Sequence, residues 1–262
     1  MENLIVVKIG GNIIDDDRKL DSFLLTYAQI EGNKILVHGG GKVATEIGQK
    51  LGIESKYIHG RRITDAETLD LVTMVYGGLL NKKIVAALQK NSCNAMGLSG
   101  ADGNIIRADK RAVKEIDYGF VGDVNATGVN SKLLTALLAS GVVPVLAPLT
   151  HDGMGTMLNT NADTIAQEIA KAMAGIMNVR LIYCFEKKGL LLNAEDNSTV
   201  VPSVNRAEYA ELIEQEVIYG GMIPKLDNAF EAIGQGVSEV VIGHADDLPK
   251  LITGTAGTKI ID

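Results

Sequence analysis

Leu4-Ile5-Val6-Val7-Lys8-Ile9-Gly10-Gly11 and Lys34-Ile35-Leu36-Val37-His38-Gly39-Gly40-Gly41 are two apolar, strand-like runs that each end on glycine. A helix-compatible stretch follows the second. Glycine at the carboxyl end of a buried strand lets backbone N–H groups approach an anion with no Cβ in the way. Where a helix starts there, its amino end adds partial positive charge. Two such cradles beside Lys8 imply a phosphate that is transferred, not merely held, and hence a phosphoryl-transfer enzyme.

Further apolar runs with β-branched residues lie at 142–147, 179–185 and 239–242, joining those at 4–9 and 34–38. Segments with helical spacing fall at about 19–31, 42–51, 66–90, 130–140, 162–174, 206–215 and 225–236. This alternation predicts an α/β fold, a mainly parallel sheet covered by helices on both faces. The run 142–147 is apolar throughout, as a strand buried on both sides should be. The rhythm breaks over 100–130. Gly100-Ala101-Asp102-Gly103-Asn104 is turn chemistry, and Ile105–Glu115 and Tyr118–Val124 read as hairpin strands, an excursion suited to a lid or pocket wall. A soft boundary near Gly175–Met177 divides the chain into 1–175 and 176–262. With no Pro- or Ser-rich linker there, the two lobes are expected to share one sheet.

The chain has 262 residues, 46% hydrophobic and 22% charged, enough to bury a substantial core. A formal net charge of -7 with no Lys/Arg-rich run argues against nucleic acid or an anionic membrane as partner. It does not argue against a nucleotide, for which a few local donors suffice. Cys93 and Cys184 fit no metal spacing and read as reduced, buried thiols. No basic and apolar leader precedes Leu4, and no uninterrupted apolar run reaches transmembrane length, so a cytoplasmic protein is expected.

The familiar phosphate motifs are missing. Gly41-Lys42 is followed by Val43, which breaks a Walker A loop, and neither H-R-D nor D-F-G occurs. The contiguous Gly39-Gly40-Gly41 is not the spaced dinucleotide fingerprint. His38, His59, His151 and His244 have no neighbouring nucleophile and no zinc spacing, so structural roles are their default. Lys8 ends an interior strand and needs an anion, either a phosphoryl group or a structural Asp, unless its strand is an edge. In Leu158-Asn159-Thr160-Asn161-Ala162-Asp163-Thr164, Asn161 suits a helix N-cap and Asp163 its first turn. Capping leaves Asn159 unexplained; the alternative aims all three polar groups into one cleft. Gly220-Gly221-Met222-Ile223-Pro224-Lys225 puts a cation at a helix start, which an anionic ligand would justify. Arg62, in Gly60-Arg61-Arg62-Ile63-Thr64, is either a solvated turn residue or a carboxylate clamp. Gly77-Gly78, in the middle of the helix 66–90, points to close helix contact, such as one across a dimer interface.

Taken in order, these segments resemble the amino acid kinase family over nearly the whole chain. The motifs are Lys8-Ile9-Gly10-Gly11, His38-Gly39-Gly40-Gly41, Gly60-Arg61-Arg62-Ile63-Thr64, Gly97-Leu98-Ser99-Gly100-Ala101-Asp102-Gly103, Tyr118-Gly119-Phe120-Val121-Gly122-Asp123-Val124, Asn159-Thr160-Asn161-Ala162-Asp163 and Gly221-Met222-Ile223-Pro224-Lys225. The resemblance implies a three-layer αβα sandwich. Residues 1–175 would bind an acyl amino acid and dimerise, and 176–262 would bind ATP. Lys8 and Lys225 would flank the γ-phosphoryl group, and Asp163 would hold the two lysines. Backbone N–H groups of Gly11 and Gly40, with Gly10 in the same turn, would bind that group. Arg62 and Asn159 would grip the acceptor's α-carboxylate, Gly39 and Gly40 would line its pocket, and Asn161 would sit at the mouth. ATP would arrive with Mg2+ held mostly by phosphate oxygens and water.

The members it resembles most phosphorylate the γ-carboxylate of an N-acylated glutamate, the acetyl derivative first among them, in arginine biosynthesis. A carboxylate acceptor with a pKa near ~4.3 is already ionised at neutral pH, which makes Asp163 an organiser and not a base. Relatives carry a Thr/Ser-Asp-Val-Pro/Ser-Gly turn where this chain has Tyr183-Cys184-Phe185-Glu186-Lys187-Lys188-Gly189, with Glu186 in place of Asp. The extra amino-terminal helix of hexameric, arginine-inhibited relatives has no counterpart, which implies a homodimer without arginine feedback. Two alternatives share the fold: a longer acceptor such as N-succinylglutamate, and a non-catalytic amino acid sensor. Intact Lys8, Asp163 and Lys225 weigh against the sensor.

Overall fold

A computed structural model of the chain describes residues 1–58, 60–193, 195–218 and 222–261, apart from the side chains of Asn12, Ala126 and Pro224. His59, Gly220 and Gly221 therefore lie outside the described residues. One eight-stranded sheet runs, edge to edge, through Ser203–Val204, Thr258–Ile260, Glu239–His244, Asn178–Phe185, Asn3–Ile9, Asn33–His38, Val143–Leu146 and Ala95–Leu98. Every pairing in it is parallel except Glu239–His244 with Thr258–Ile260. Helices cover both faces, so the architecture is a three-layer αβα sandwich. Asn3–Ile9 sits mid-sheet, with Lys8 level with Val37 on one side and Tyr183 on the other.

The alternation of that first strand divides the core in two. Leu4 and Val6 join the cluster under the helix Ala162–Ala174, with Ile165, Ala166 and Ile169. Val7 and Ile9 join the opposite cluster. Since successive strand residues point to opposite faces, Lys8 shares the face of Leu4 and Val6. The strand's own pattern thus carries Lys8 to the amino end of the helix Ala162–Ala174.

The five strands expected from sequence are present, and the edge strands Ala95–Leu98 and Ser203–Val204, with Thr258–Ile260 next to the latter, add to them. The hairpin over 100–130 is shifted. Ile106–Lys110 pairs antiparallel with Gly122–Val129, so the expected hairpin is present but only 122–124 of its second strand, 118–124, take part. Tyr118 and Phe120 instead bond across to Thr64, whose N–H donates to the Tyr118 carbonyl (2.9 Å) and whose carbonyl accepts from the Phe120 N–H (2.7 Å). Gly122 opens the strand because it lies against the Thr150–Thr160 hydroxyl pair; a Cβ there would fall 2.6 Å from each hydroxyl. This hairpin joins Leu149–His151 and Met157–Asn159 in a second, four-stranded sheet. The helix expected at 225–236 starts at Met222, which puts Lys225 inside its first turn.

The helical stretch 66–90 contains a π segment, Thr73–Leu80, centred on Gly77-Gly78. Within the chain the glycine pair does not meet another helix, as the sequence suggested. A Cβ on Gly77 would meet only Leu149, at 3.3 Å, and one on Gly78 would meet nothing. Both cysteines are buried and free. Burial pushes the Cys184 thiol up to about 12 despite the nearby Lys8, which leaves it inert.

Candidate active site

The two glycine turns abut at the carboxyl ends of neighbouring strands. The Gly39 N–H donates to the Ile9 carbonyl at 2.8 Å, so the turns are joined by backbone. Gly40 is required on two counts: its φ is +146°, and a Cβ would fall 2.3 Å from Leu80 Cδ1. It caps the helix Gly41–Leu51, whose first turn holds no acidic side chain and no side-chain cap. The first N–H groups of that helix are left for an anion.

Lys8 reaches Asp163 at 2.8 Å, with side-chain exposures of 14% and 16%. Gly10 makes room for this, since a Cβ there would lie 2.7 Å from Lys8 Nζ. Asn161 caps the helix by accepting from the N–H groups of Asp163 (2.7 Å) and Thr164 (3.2 Å), and it also lines the cleft. Capping and a place in the site are therefore compatible. Burial pushes the Asp163 carboxyl up, but the Lys8 and Lys225 ammonium groups outweigh it and hold the carboxyl below the usual carboxylate range. Burial together with Lys8 lowers the Lys225 ammonium against the opposing pull of Asp163 and Glu186. Lys225 also lies 4.9 Å from the centre of the Phe185 ring. Asp163 is thus held by both ammonium groups, and Glu186 is a second carboxylate acting on Lys225.

Arg62 is buried, not solvated. It donates to the Ser55 hydroxyl, to the Gly41 carbonyl (2.7 Å) and to the Thr45 hydroxyl (2.9 Å), and lies over the Tyr57 ring. These bonds use three of the five guanidinium N–H groups, and the Tyr76 hydroxyl also lies within hydrogen-bonding reach of the fork. Asn159 donates to the Thr64 hydroxyl at 2.9 Å, which ties the cleft floor to the Arg62 turn.

A cleft of about 270 Å3 brings Lys8, Gly10, Gly11, Gly39, Gly40, Arg62, Asn159, Asn161 and Asp163 together. Lys225 does not line it and approaches through Asp163. The sequence reading missed Tyr57, Tyr76, Arg111 and Thr160, which complete the wall. Arg111 comes from the hairpin expected to act as a pocket wall, held by an ion pair with Asp123. Lone residues of this kind carry no spacing signal in a sequence. Among the described residues no cluster of three or more His, Cys, Asp or Glu side chains is arranged to hold a metal ion.

Joined anion cradles facing the Lys8–Asp163 pair, on an open αβα sheet, make a cleft whose chemistry suits a phosphoryl group. The amino acid kinase family model matches residues 3–244, and the chain belongs to that family. It is 59% identical over 259 residues to the acetylglutamate kinase of Bacteroides fragilis, covering 99% of this chain and 97% of the relative. It is 58% identical over 264 residues to the acetylglutamate kinase of Cytophaga hutchinsonii, covering 100% and 99%. Among solved structures, smu.665 from Streptococcus mutans UA159 matches with a TM-score of 0.76 at 28% identity, over 98% of both chains.

Proposed function

We propose that this chain is an ATP-dependent kinase that phosphorylates the γ-carboxylate of N-acetyl-L-glutamate, giving N-acetylglutamyl 5-phosphate in arginine biosynthesis. The observation that carries this is the Lys8–Asp163 pair, set in one cleft with both glycine turns and Arg62, in a chain this similar to acetylglutamate kinases. The ionised γ-carboxylate attacks the γ-phosphorus of ATP. A carboxylate O–P bond forms, the bond from the γ-phosphorus to the β,γ-bridging oxygen breaks, and ADP leaves with that oxygen. The ammonium groups of Lys8 and Lys225 neutralise charge spreading over the transferring oxygens, and the Gly11 and Gly40 N–H groups orient them. Arg62, with Asn159, takes the α-carboxylate. No proton has to move, so Asp163 serves by holding the lysines.

Residues 1–175 would hold the acceptor, and 176–262, with Lys225, would hold ATP. Asp163 is paired with Lys8, and among the described residues no group of three or more His, Cys, Asp or Glu side chains could hold a metal ion, so Mg2+ would be held by phosphate oxygens and water. The site of action is the cytoplasm. The helical stretch Ala66–Lys90 is long and apolar enough to cross a membrane by length and composition, and 44% of its most apolar window is buried within the chain, which leaves apolar surface for a partner. Met74 is 57% exposed and Leu79 51%, beside the open Gly78. A second copy crossing at Gly77-Gly78 would cover them, giving a homodimer. Leu79→Glu is expected to turn that dimer into a monomer in sedimentation velocity; an unchanged dimer would exclude this face.

Trapping the acyl phosphate with hydroxylamine tests the activity. N-acetylglutamate should give an ATP-dependent hydroxamate and free glutamate should not. N-succinylglutamate belongs in the same panel, because Arg61 and Arg111 on the cleft wall suit an acyl group with its own carboxylate. Nucleotide binding without turnover of any acyl glutamate would revive the sensor.

A further inference from the structure

We infer that His38 is a positioning residue, whose imidazole fixes the peptide between Gly39 and Gly40 so that the Gly40 N–H faces the cleft. This rests on the proposed role of that N–H in binding the transferring phosphoryl group. His38 is fully buried and does not line the cleft. Its Nδ1 is 2.7 Å from the Gly39 carbonyl, and its Nε2 is 3.2 Å from Asn81 Nδ2.

The surroundings of Asn81 decide which nitrogen carries the proton. Asn81 Nδ2 lies 3.0 Å from the Val145 carbonyl, which can only accept. Lys82 Nζ, which can only donate, lies 3.2 Å from Asn81 Oδ1. The amide is therefore oriented with its NH2 toward His38, so Nε2 accepts and Nδ1–H donates to the Gly39 carbonyl. Burial lowers the imidazole to about 4, and it stays neutral at physiological pH.

The Gly39 carbonyl and the Gly40 N–H belong to one planar trans peptide and point in opposite directions. Anchoring the first aims the second. Among the described residues no bond from the Gly40 N–H to the chain is found. Between two glycines such a peptide rotates at little steric cost, so something else must fix it. The fold makes space for the anchor: a Cβ on Gly97 would lie 1.9 Å from Asn81 Oδ1.

Two variants and one spectrum test this. In H38N the side-chain amide keeps a donor near the Nδ1 position; in H38L none remains. We expect H38L to lose about 100-fold in kcat, as for a misaimed oxyanion donor, with each KM within about threefold and H38N within about fivefold of wild type. A purely structural role would lower both variants together, and that result, or a wild-type kcat in H38L, overturns the inference. Long-range 1H–15N correlation on the resting protein should find the His38 proton on Nδ1; a proton on Nε2 overturns it without reference to turnover. If the wild type phosphorylates no acceptor, the proposed function fails and the spectrum alone decides the role of His38.

Discussion

Lys8→Met is expected to lower kcat by about 1,000-fold and to leave the KM for ATP within a few-fold, because the ammonium acts on charge that grows in the transition state. Methionine preserves the apolar stem that follows Leu4 and Val6 on the strand, so the fold should persist. Lys8→Arg should not rescue. The guanidinium spreads its charge over a plane and would not put a compact cation where the Lys8 ammonium lies, 2.8 Å from Asp163. Steady-state kinetics with a coupled ADP assay would decide this; a variant retaining a tenth or more of wild-type kcat would remove Lys8 from the chemistry.

Asp163→Asn is expected to damage activity and stability together. Asparagine keeps the shape, and the backbone N–H at 163 still reaches the Asn161 cap. What disappears is the negative charge between Lys8 and Lys225, leaving two cations to repel each other. Breaking a largely buried ion pair by removing one partner costs about 3 kcal/mol, and kcat should fall at least about 100-fold. The pH dependence has a definite sign. The folded carboxyl is held below the ordinary aspartate value of 3.8, so its stabilisation is present above that value and lost as pH falls through the lower folded value. The stability gap between wild type and Asp163→Asn, from urea unfolding, should be level above about pH 5 and close as pH drops below about 4. A gap that persists undiminished in acid would show that charge is not its origin. Loss of Asp163 also removes the pull that opposes burial at Lys225, so the alkaline limb of the kcat profile should move to lower pH.

The centre of the site was legible because two periodicities agree there. Strand alternation places Lys8 on one face with Leu4 and Val6, and the Asn161 cap places Asp163 at the start of the helix covering that face. Glycine endings on adjacent parallel strands give the turns. The periphery was less legible. Strands of two to four residues at the sheet edges are too short to show a period. The second hairpin strand slid to Gly122 because Tyr118 and Phe120 bond to Thr64, a partner more than fifty residues away in sequence. Arg62 reads from sequence as either a solvated turn residue or a carboxylate clamp; its burial depends on Thr45 and Ser55, which no local pattern connects to it. His38 carried only the default of a structural histidine, since its meaning depends on Asn81, which comes from a different element.

The most direct test of the central claim follows an oxygen atom. N-acetylglutamate labelled with 18O in its γ-carboxylate is incubated with ATP and the enzyme, and the product is cleaved with hydroxylamine. Attack by the carboxylate on the γ-phosphorus makes one labelled oxygen the bridge of the acyl phosphate, and aminolysis at carbon releases that oxygen with phosphate. The account predicts one 18O in each released phosphate by 31P NMR. Phosphate carrying no label would mean that ATP is cleaved by water, and would contradict transfer to the γ-carboxylate.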